Sequence, residues 1–393
     1  MRVAIINSVY GSGSTGKIVR EIEKSLLSAG HECRCYYGRK SGNEKGGEFF
    51  GSKLSVLFHA LFSRIFGKQG LRSNKATKKL IEKLQEYKPD VINLHNIHGY
   101  YLNYKILFKY LAKADIPIVW TLHDLWPITG NCAYFDEKAC SIEKECKKCS
   151  FKGEYPAAIF DKTAKNFRLK KEMFSSVKDL TLVCPSEWVK GIMENSFLSE
   201  AKIKVINNGI NLEDFTQVSS DFREKYGLEG KKIILGVSLQ WSQRKGLADF
   251  NRLALDLPEE YAIALVGIDK EEVNPKIIKI KRTASLKELT EIYSSADLFV
   301  NPTVMDNFPT VNIEALACGL PVVTYNTGGC AEIIDAGSGI AVEKGDYEQL
   351  KQAILSFDYA QYSSQNCIER AKNFDSKDKF KEYIDLFLEV GRC

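Results

Sequence analysis

Short, wholly apolar runs alternate along this chain with stretches in which apolar residues recur every third or fourth position. The first pattern marks strands buried on both faces, and the second marks helices with one face turned inward. Val3–Asn7 reads as a strand, and Lys17–Ala29 as a helix with Ile18, Ile22 and Leu26 on one side. Strand-like Val91–Leu94, helical Tyr104–Ala114, and strand-like Ile118–Leu122 and Leu180–Pro185 follow. None of the strand segments alternates apolar with polar, which suits a parallel sheet covered on both sides.

A second series starts after Ile210. Its strand-like runs are Lys232–Val237, Ala262–Val266, Leu298–Asn301 and Pro321–Tyr325. Helical stretches fall between them at Leu247–Asp256, Leu286–Ser295 and Thr310–Cys318, and a last helix covers about Lys377–Val390. Two βαβ series joined near Asn207–Asn211 predict an α/β protein of two Rossmann-like domains facing across a cleft. The expected division is 1–207 and 208–375, with the final helix, 376–393, packing back onto the first domain. A length of 393 residues suits two such domains and is too long for one core.

Composition narrows the field. Hydrophobic residues make up 44% and charged ones 27%, as in a globular protein. A net charge of +5 is too small to indicate nucleic acid, yet compatible with a phosphate ligand or an anionic lipid surface. No apolar stretch approaches the ~20 residues needed to span a bilayer. The N-terminus lacks a cleavable signal, so a cytoplasmic location is expected, possible contact with the inner face of the cell membrane included. Eleven cysteines are then thiols or metal ligands before they are disulfides.

The first half holds three points of chemistry. Gly11-Ser-Gly-Ser-Thr-Gly-Lys17 follows a strand and opens a helix, which nearly matches a P-loop. Ile18 stands where the Mg²⁺-binding hydroxyl belongs. What survives is a loop whose glycines, Gly13 and Gly16, let backbone approach an anion at a helix start; the alternative is a plain turn. His123, in Thr121-Leu-His-Asp-Leu-Trp-Pro127, sits at the C-terminal end of a buried strand, where open α/β sheets bind ligands. There an imidazole can bond a sugar hydroxyl or polarise a reacting group, or else be held structurally by Asp124. Cys132, Cys140, Cys146 and Cys149 lie in one polar loop. They suit a structural tetrahedral zinc, with reduced surface thiols as the alternative.

In the second half, Asp306 and Glu314 bracket Asn307-Phe-Pro-Thr-Val-Asn-Ile313. Pro309 fits the first turn of a helix, which places Asp306 before it and Glu314 about a turn inside. Backbone N–H groups around Asn307, Phe308, Thr310 and Val311 can then face a diphosphate, helped by the helix dipole. A carboxylate can accept both hydroxyls of a ribose or hexose diol. Arg244 and Lys245, between a strand end and a helix start, can meet phosphate oxygens.

These residues together resemble glycosyltransferase family 4, whose members are retaining enzymes of the GT-B fold. The resemblance spans nearly the whole chain. It runs through the glycine loop, the His123 segment, Asn208-Gly-Ile-Asn211, Arg244-Lys-Gly246, the acid pair and Gly328-Gly329. The family's hallmark is two acids separated by seven residues, with Asp306 here in place of the usual first Glu. His95-Asn-Ile-His-Gly-Tyr-Tyr101 and the four-cysteine loop look like those of members that build bacterial surface polysaccharides. The resemblance implies that Glu314 binds the donor ribose, Asp306 the donor sugar and Lys245 the diphosphate. It also implies that His123 contacts the sugar or stabilises transition-state charge. Many relatives carry an Arg six residues before the Lys; here that position is Leu239.

The expected reaction transfers a sugar from a nucleotide-diphosphate sugar to a glycan or lipid-linked acceptor, with attack on the face the leaving group departs from. No Asp-x-Asp occurs, so no catalytic metal is expected. The competing classes are a P-loop-like NTPase and a non-catalytic sugar-nucleotide or glycan-binding protein. Leu54–Lys79 mixes apolar residues with Arg64, Lys68, Arg72, Lys75, Lys78 and Lys79, just after Lys53. Such a segment can lie on anionic lipid, or be a packed helix with a solvated basic face.

Overall fold

The structure, a computed structural model, describes residues 1–40, 45–134, 146, 149 and 155–391. The chain divides into two compact units, Met1–Ile206 with Phe380–Cys393, and Asn207–Lys379.

Among the described residues, the first unit contains strands β1 (Arg2–Asn7), β2 (Glu32–Tyr37), β3 (Glu48–Phe49), β4 (Val91–Leu94), β5 (Ile118–Thr121), β6 (Leu180–Cys184) and β7 (Lys202–Val205). They form one parallel sheet in the order β3-β2-β1-β4-β5-β6-β7. Strand order reverses direction at β1 and β4, the arrangement that opens a crevice at the strands' C-terminal ends. Along β1, Val3 and Ile5 enter one core while Ala4 and Ile6 enter the other, which is why the run is apolar throughout. Helices α1 (Gly13–Ser28), α2 (Lys53–Phe66) and α3 (Asn74–Tyr87) follow β1 and β3. From Phe380 onward the last helix, Ser376–Val390, joins this unit: Phe380, Tyr383, Leu386 and Phe387 pack with Val3, Ile5, Val91, Val119 and Val183.

The second unit repeats the plan with β8 (Lys232–Val237), β9 (Tyr261–Val266), β10 (Ile277–Ile280), β11 (Leu298–Asn301), β12 (Val322–Asn326) and β13 (Gly339–Glu343). The order is β10-β9-β8-β11-β12-β13, again all parallel. Ile233, Leu235 and Phe299 face one core, and Ile234, Leu298 and Val300 the other.

Candidate active site

In the second unit the chemistry gathers at the C-terminal ends of β8 and β11. Beyond β8 the chain makes a single 3-10 turn, Gln243–Lys245. Gly246 closes the turn at φ 75°, and a Cβ there would lie 2.4 Å from the Pro302 carbonyl oxygen. The segment after β11 therefore seats directly on the turn that carries Lys245. Arg244 stitches the two together. Its guanidinium donates to the Met305 carbonyl (2.7 Å), and its own carbonyl accepts from the Val304 N–H (2.9 Å).

Lys245 Nζ stands 2.5 Å from Asp306 Oδ2, with about a fifth of each side chain exposed. The backbone of Asp306 is gripped from behind by the Gly328-Gly329 turn. A Cβ on Gly328, at φ 55°, would fall 1.7 Å from the Asp306 carbonyl oxygen. The Gly329 N–H donates to the carbonyls of Asp306 (3.3 Å) and Asn307 (3.1 Å). Pro309 is the cap of the Thr310–Ala317 helix (φ −75°, ψ 111°), not a member of its first turn. The first N–H groups of the helix have no intrahelical acceptor. Inside it, Glu314 Oε1 accepts from the Thr310 hydroxyl (3.2 Å) and Oε2 from the Tyr293 phenol (3.1 Å). Burial first, then the Glu314 charge, push the Tyr293 phenol well above its ordinary pKa, so it remains a donor.

In the first unit, the ends of β4 and β5 bring histidines together. His95 Nδ1 and His123 Nε2 lie 2.8 Å apart, with the rings stacked at 5.1 Å. Asn93 decides the proton positions. Its amide nitrogen donates to the Val119 carbonyl (3.0 Å), so its oxygen faces His95 Nε2 at 2.7 Å, and that nitrogen must carry the hydrogen. Neutral His95 then accepts at Nδ1 from His123 Nε2–H, which leaves Nδ1 as the basic nitrogen of His123. Burial lowers His123 to about 4, against the opposing charge of Asp124, and burial also holds His95 well below its usual value. At neutral pH, His123 is therefore a hydrogen-bonding imidazole and not a cation.

Asp124, named above as a possible partner of His123, pairs with His98 (Nε2–Oδ2, 2.6 Å), and its other oxygen accepts from the Trp126 N–H (3.0 Å). Burial works to raise this carboxyl, but the charge and hydrogen bonds of His98, the Trp126 N–H and His123 together hold it below its ordinary range. Asn93, His95 and His98 carry no role in the residue-by-residue reading. Their signal was present: His95 and His98 belong to a set of five histidines and follow the neighbouring strand end.

The glycine loop does not form a P-loop. Helix α1 starts at Gly13, so Gly16 and Lys17 lie inside it and Lys17 faces solvent. The loop closes on itself through Gly11 N–H to Gly16 carbonyl (2.9 Å). Of the four loop cysteines, Cys140 lies outside the described residues. Cys132 and Cys149 are buried and Cys146 half-buried. Among the described residues, these three do not bring their sulfurs within shared reach of one ion; a Glu23 carboxylate oxygen and the sulfurs of Cys33 and Cys35 do lie within 4.8 Å of one another. Beside Cys132 and Cys146 lies the buried Lys170, which donates to the carbonyls of Trp126 (2.6 Å) and Thr129 (2.9 Å).

A family model described as Glycosyltransferase Family 4 matches residues 15–214, and one described as Glycosyl transferases group 1 matches residues 218–374. The putative colanic acid biosynthesis glycosyl transferase WcaC of Escherichia coli (strain K12) is 25% identical over 317 residues, covering 76% of each chain. Among solved structures, sucrose-phosphate synthase from Thermosynechococcus elongatus aligns over 99% of this chain and 98% of its own, with TM-score 0.71 and 16% identity. Anabaena HepE in complex with UDP-glucose aligns over 99% and 100%, with TM-score 0.69 and 16% identity. Fold and matches together define a GT-B glycosyltransferase, an enzyme that transfers a sugar from a nucleotide sugar. The chain belongs to Glycosyltransferase Family 4.

Proposed function

We propose that this enzyme takes a sugar from a nucleoside-diphosphate sugar and attaches it, with retention, to a glycan or lipid-linked acceptor of a bacterial surface polysaccharide. The observation that carries the reading is the Lys245–Asp306 pair beside the start of the Thr310–Ala317 helix, with Glu314 one turn inside. Glu314, oriented by Thr310 and Tyr293, accepts the ribose hydroxyls. Lys245 and the N–H groups of Asn307, Phe308, Thr310 and Val311 take up charge on the diphosphate as its bond to the sugar breaks, a preorganised form of electrostatic stabilisation. Asp306 meets the sugar, and Gly13 and Gly16 shape the loop on the acceptor unit. His123 contributes a neutral imidazole to the acceptor side. The positive charge that a metal ion would bring is supplied by Lys245 and the helix start. A structural zinc at Cys132, Cys140, Cys146 and Cys149 is a separate proposal, tested by metal content near one equivalent per chain.

Support for a surface polysaccharide comes from the similarity to a colanic acid enzyme, and for a uridine nucleotide from the UDP-glucose complex of HepE. The test is a panel of nucleotide sugars read by thermal protection and by donor hydrolysis. Lys245→Ala should lower kcat by roughly 10²–10³. Glu314→Gln, which keeps an acceptor for Tyr293, should raise the donor KM with the melting temperature unchanged. Wild-type turnover in both variants overturns these assignments, and no protection by any nucleotide sugar overturns the donor reading.

A further inference from the structure

Helix α2 is built inside out. His59 and Ser63 are its buried residues, while Leu54, Leu57, Phe58 and Leu61 are 67%, 64%, 67% and 54% exposed. Their spacing lines them up along one outward stripe. Phe66 extends it at 44% exposed. Ile159 and Phe160, also exposed, are tied alongside by backbone bonds from their N–H groups to the carbonyls of Arg64 (2.7 Å) and Ile65 (3.3 Å). A contiguous apolar surface of this kind marks a docking site.

The surroundings of the stripe say what docks. From Phe49 to Ile81 the sequence holds seven Lys or Arg and no acidic residue. An apolar groove of about 510 Å³ runs along α2 between Phe58, Leu61, Phe62, Ile65 and Phe66. A second cavity of about 490 Å³ adjoins it, lined by Ser52, Ser55, Arg72, Ser73, Lys75 and Lys79. Ser55, Arg72 and Ser73 line both. His59, 1% exposed and lining the groove, has its Nε2 buried with no hydrogen-bond partner. Apolar surface grading into a cationic, hydroxyl-lined cavity matches a phosphate-headed amphiphile: acyl chains against the stripe, phosphate at Arg72, Lys75 and Lys79. An unbroken excess of cations without one acid favours an anionic bilayer over a protein face, which would need its own acids placed opposite each.

We propose that α2, with Ile159 and Phe160, is an in-plane docking helix for an anionic phospholipid membrane. The idea rests on the reading that the acceptor is lipid-linked. It also gives the surface a route to the histidine cluster. The His59 ring contacts Tyr100 (5.8 Å), Tyr100 contacts Tyr155 (6.4 Å), and Tyr155 contacts His98 (6.2 Å), the partner of Asp124. A lipid-borne acceptor held at α2 would emerge beside that cluster.

The experiment is flotation of the full chain with vesicles of phosphatidylcholine alone or mixed with phosphatidylglycerol, at low and high salt. Binding should require the anionic lipid and weaken with salt. Leu57→Asp with Phe58→Asp should abolish it, and Arg72→Ala with Lys75→Ala should weaken it about fivefold per charge. All variants should keep the wild-type melting temperature and nucleotide-sugar protection. Equal binding to both vesicle types, no binding by the wild type, or unchanged binding in the aspartate variant overturns the proposal. So does a lipid-free dimer that the aspartate variant dissolves, since the stripe would then join two copies. Donor hydrolysis in the same samples separates the two readings: if it persists while vesicle binding fails, only docking is lost.

Discussion

At the scale of single residues, burial keeps two histidines neutral to a lower pH than their ordinary pKa values would allow. His123 and His59 are each lowered to about 4, burial being the largest cause in both. A group that is neutral when folded and titrates near its ordinary value of about 6.5 when unfolded binds fewer protons in the native state across the interval between. The stability it contributes is complete above about pH 6.5 and is lost as pH falls toward 4. Urea midpoints should therefore drop steadily through that window, well before the carboxylates protonate. His59→Gln should flatten part of the slope, and a midpoint constant through the interval would show that these imidazoles do not gain a proton on unfolding. On the role proposed for His123, activity should persist down this range better than an ordinary histidine would allow, because burial keeps its imidazole uncharged to about pH 4.

At the scale of elements, the site depends on turns that only glycine can make. Gly246 and Gly328 both adopt positive φ and both touch backbone: Pro302 in one case, Asp306 in the other. Gly328→Ala forces a methyl into the Asp306 carbonyl and adds left-handed strain, at a cost above about 1 kcal/mol. The loop bearing Asp306 must then move from its place beside Lys245. The expected result is a modest fall in melting temperature with a much larger fall in kcat; an intact kcat would mean that the acid's position is not critical. The Leu54–Lys79 segment teaches the complementary lesson. It reads as one basic, apolar stretch, yet it is two helices broken where Gly67 caps α2 at φ 62°. Strand β2 passed unread because Glu-Cys-Arg-Cys-Tyr-Tyr mixes exposed and buried positions, the pattern of a strand nearer a sheet edge.

At the scale of the whole molecule, the first unit is not continuous in sequence. Phe380, Tyr383, Leu386 and Phe387 pack on Val3, Ile5, Val91, Val119 and Val183, sharing one face of its sheet with Ile18, Val19, Ile22 and Leu26 of α1. Each large buried side chain contributes about 1.5–3 kcal/mol, so four together rival the ~5–15 kcal/mol that stabilises a typical domain. A chain ending at Lys379 should therefore lose the cooperative unfolding of its first unit and aggregate. Expression and circular dichroism check this, and a soluble truncated protein with native melting would refute it. By contrast, Asn207–Lys379 contains both faces of its own sheet and should bind nucleotide in isolation, read by thermal protection.

The order of amino acids by itself determined the strands buried on both faces, the two βαβ series, and the acid pair with its lysine. Each of these is written in local periodicity or short spacing. Tertiary structure decided what lies between segments distant in the chain. It set the 2.5 Å meeting of Lys245 with Asp306 across sixty-one positions, and the proton arrangement that Asn93 imposes on His123 through His95. It also turned α2 so that polar His59 points inward and leucines face out. Periodicity reports which side of a helix differs from the other, but only the packed neighbours settle which side is buried.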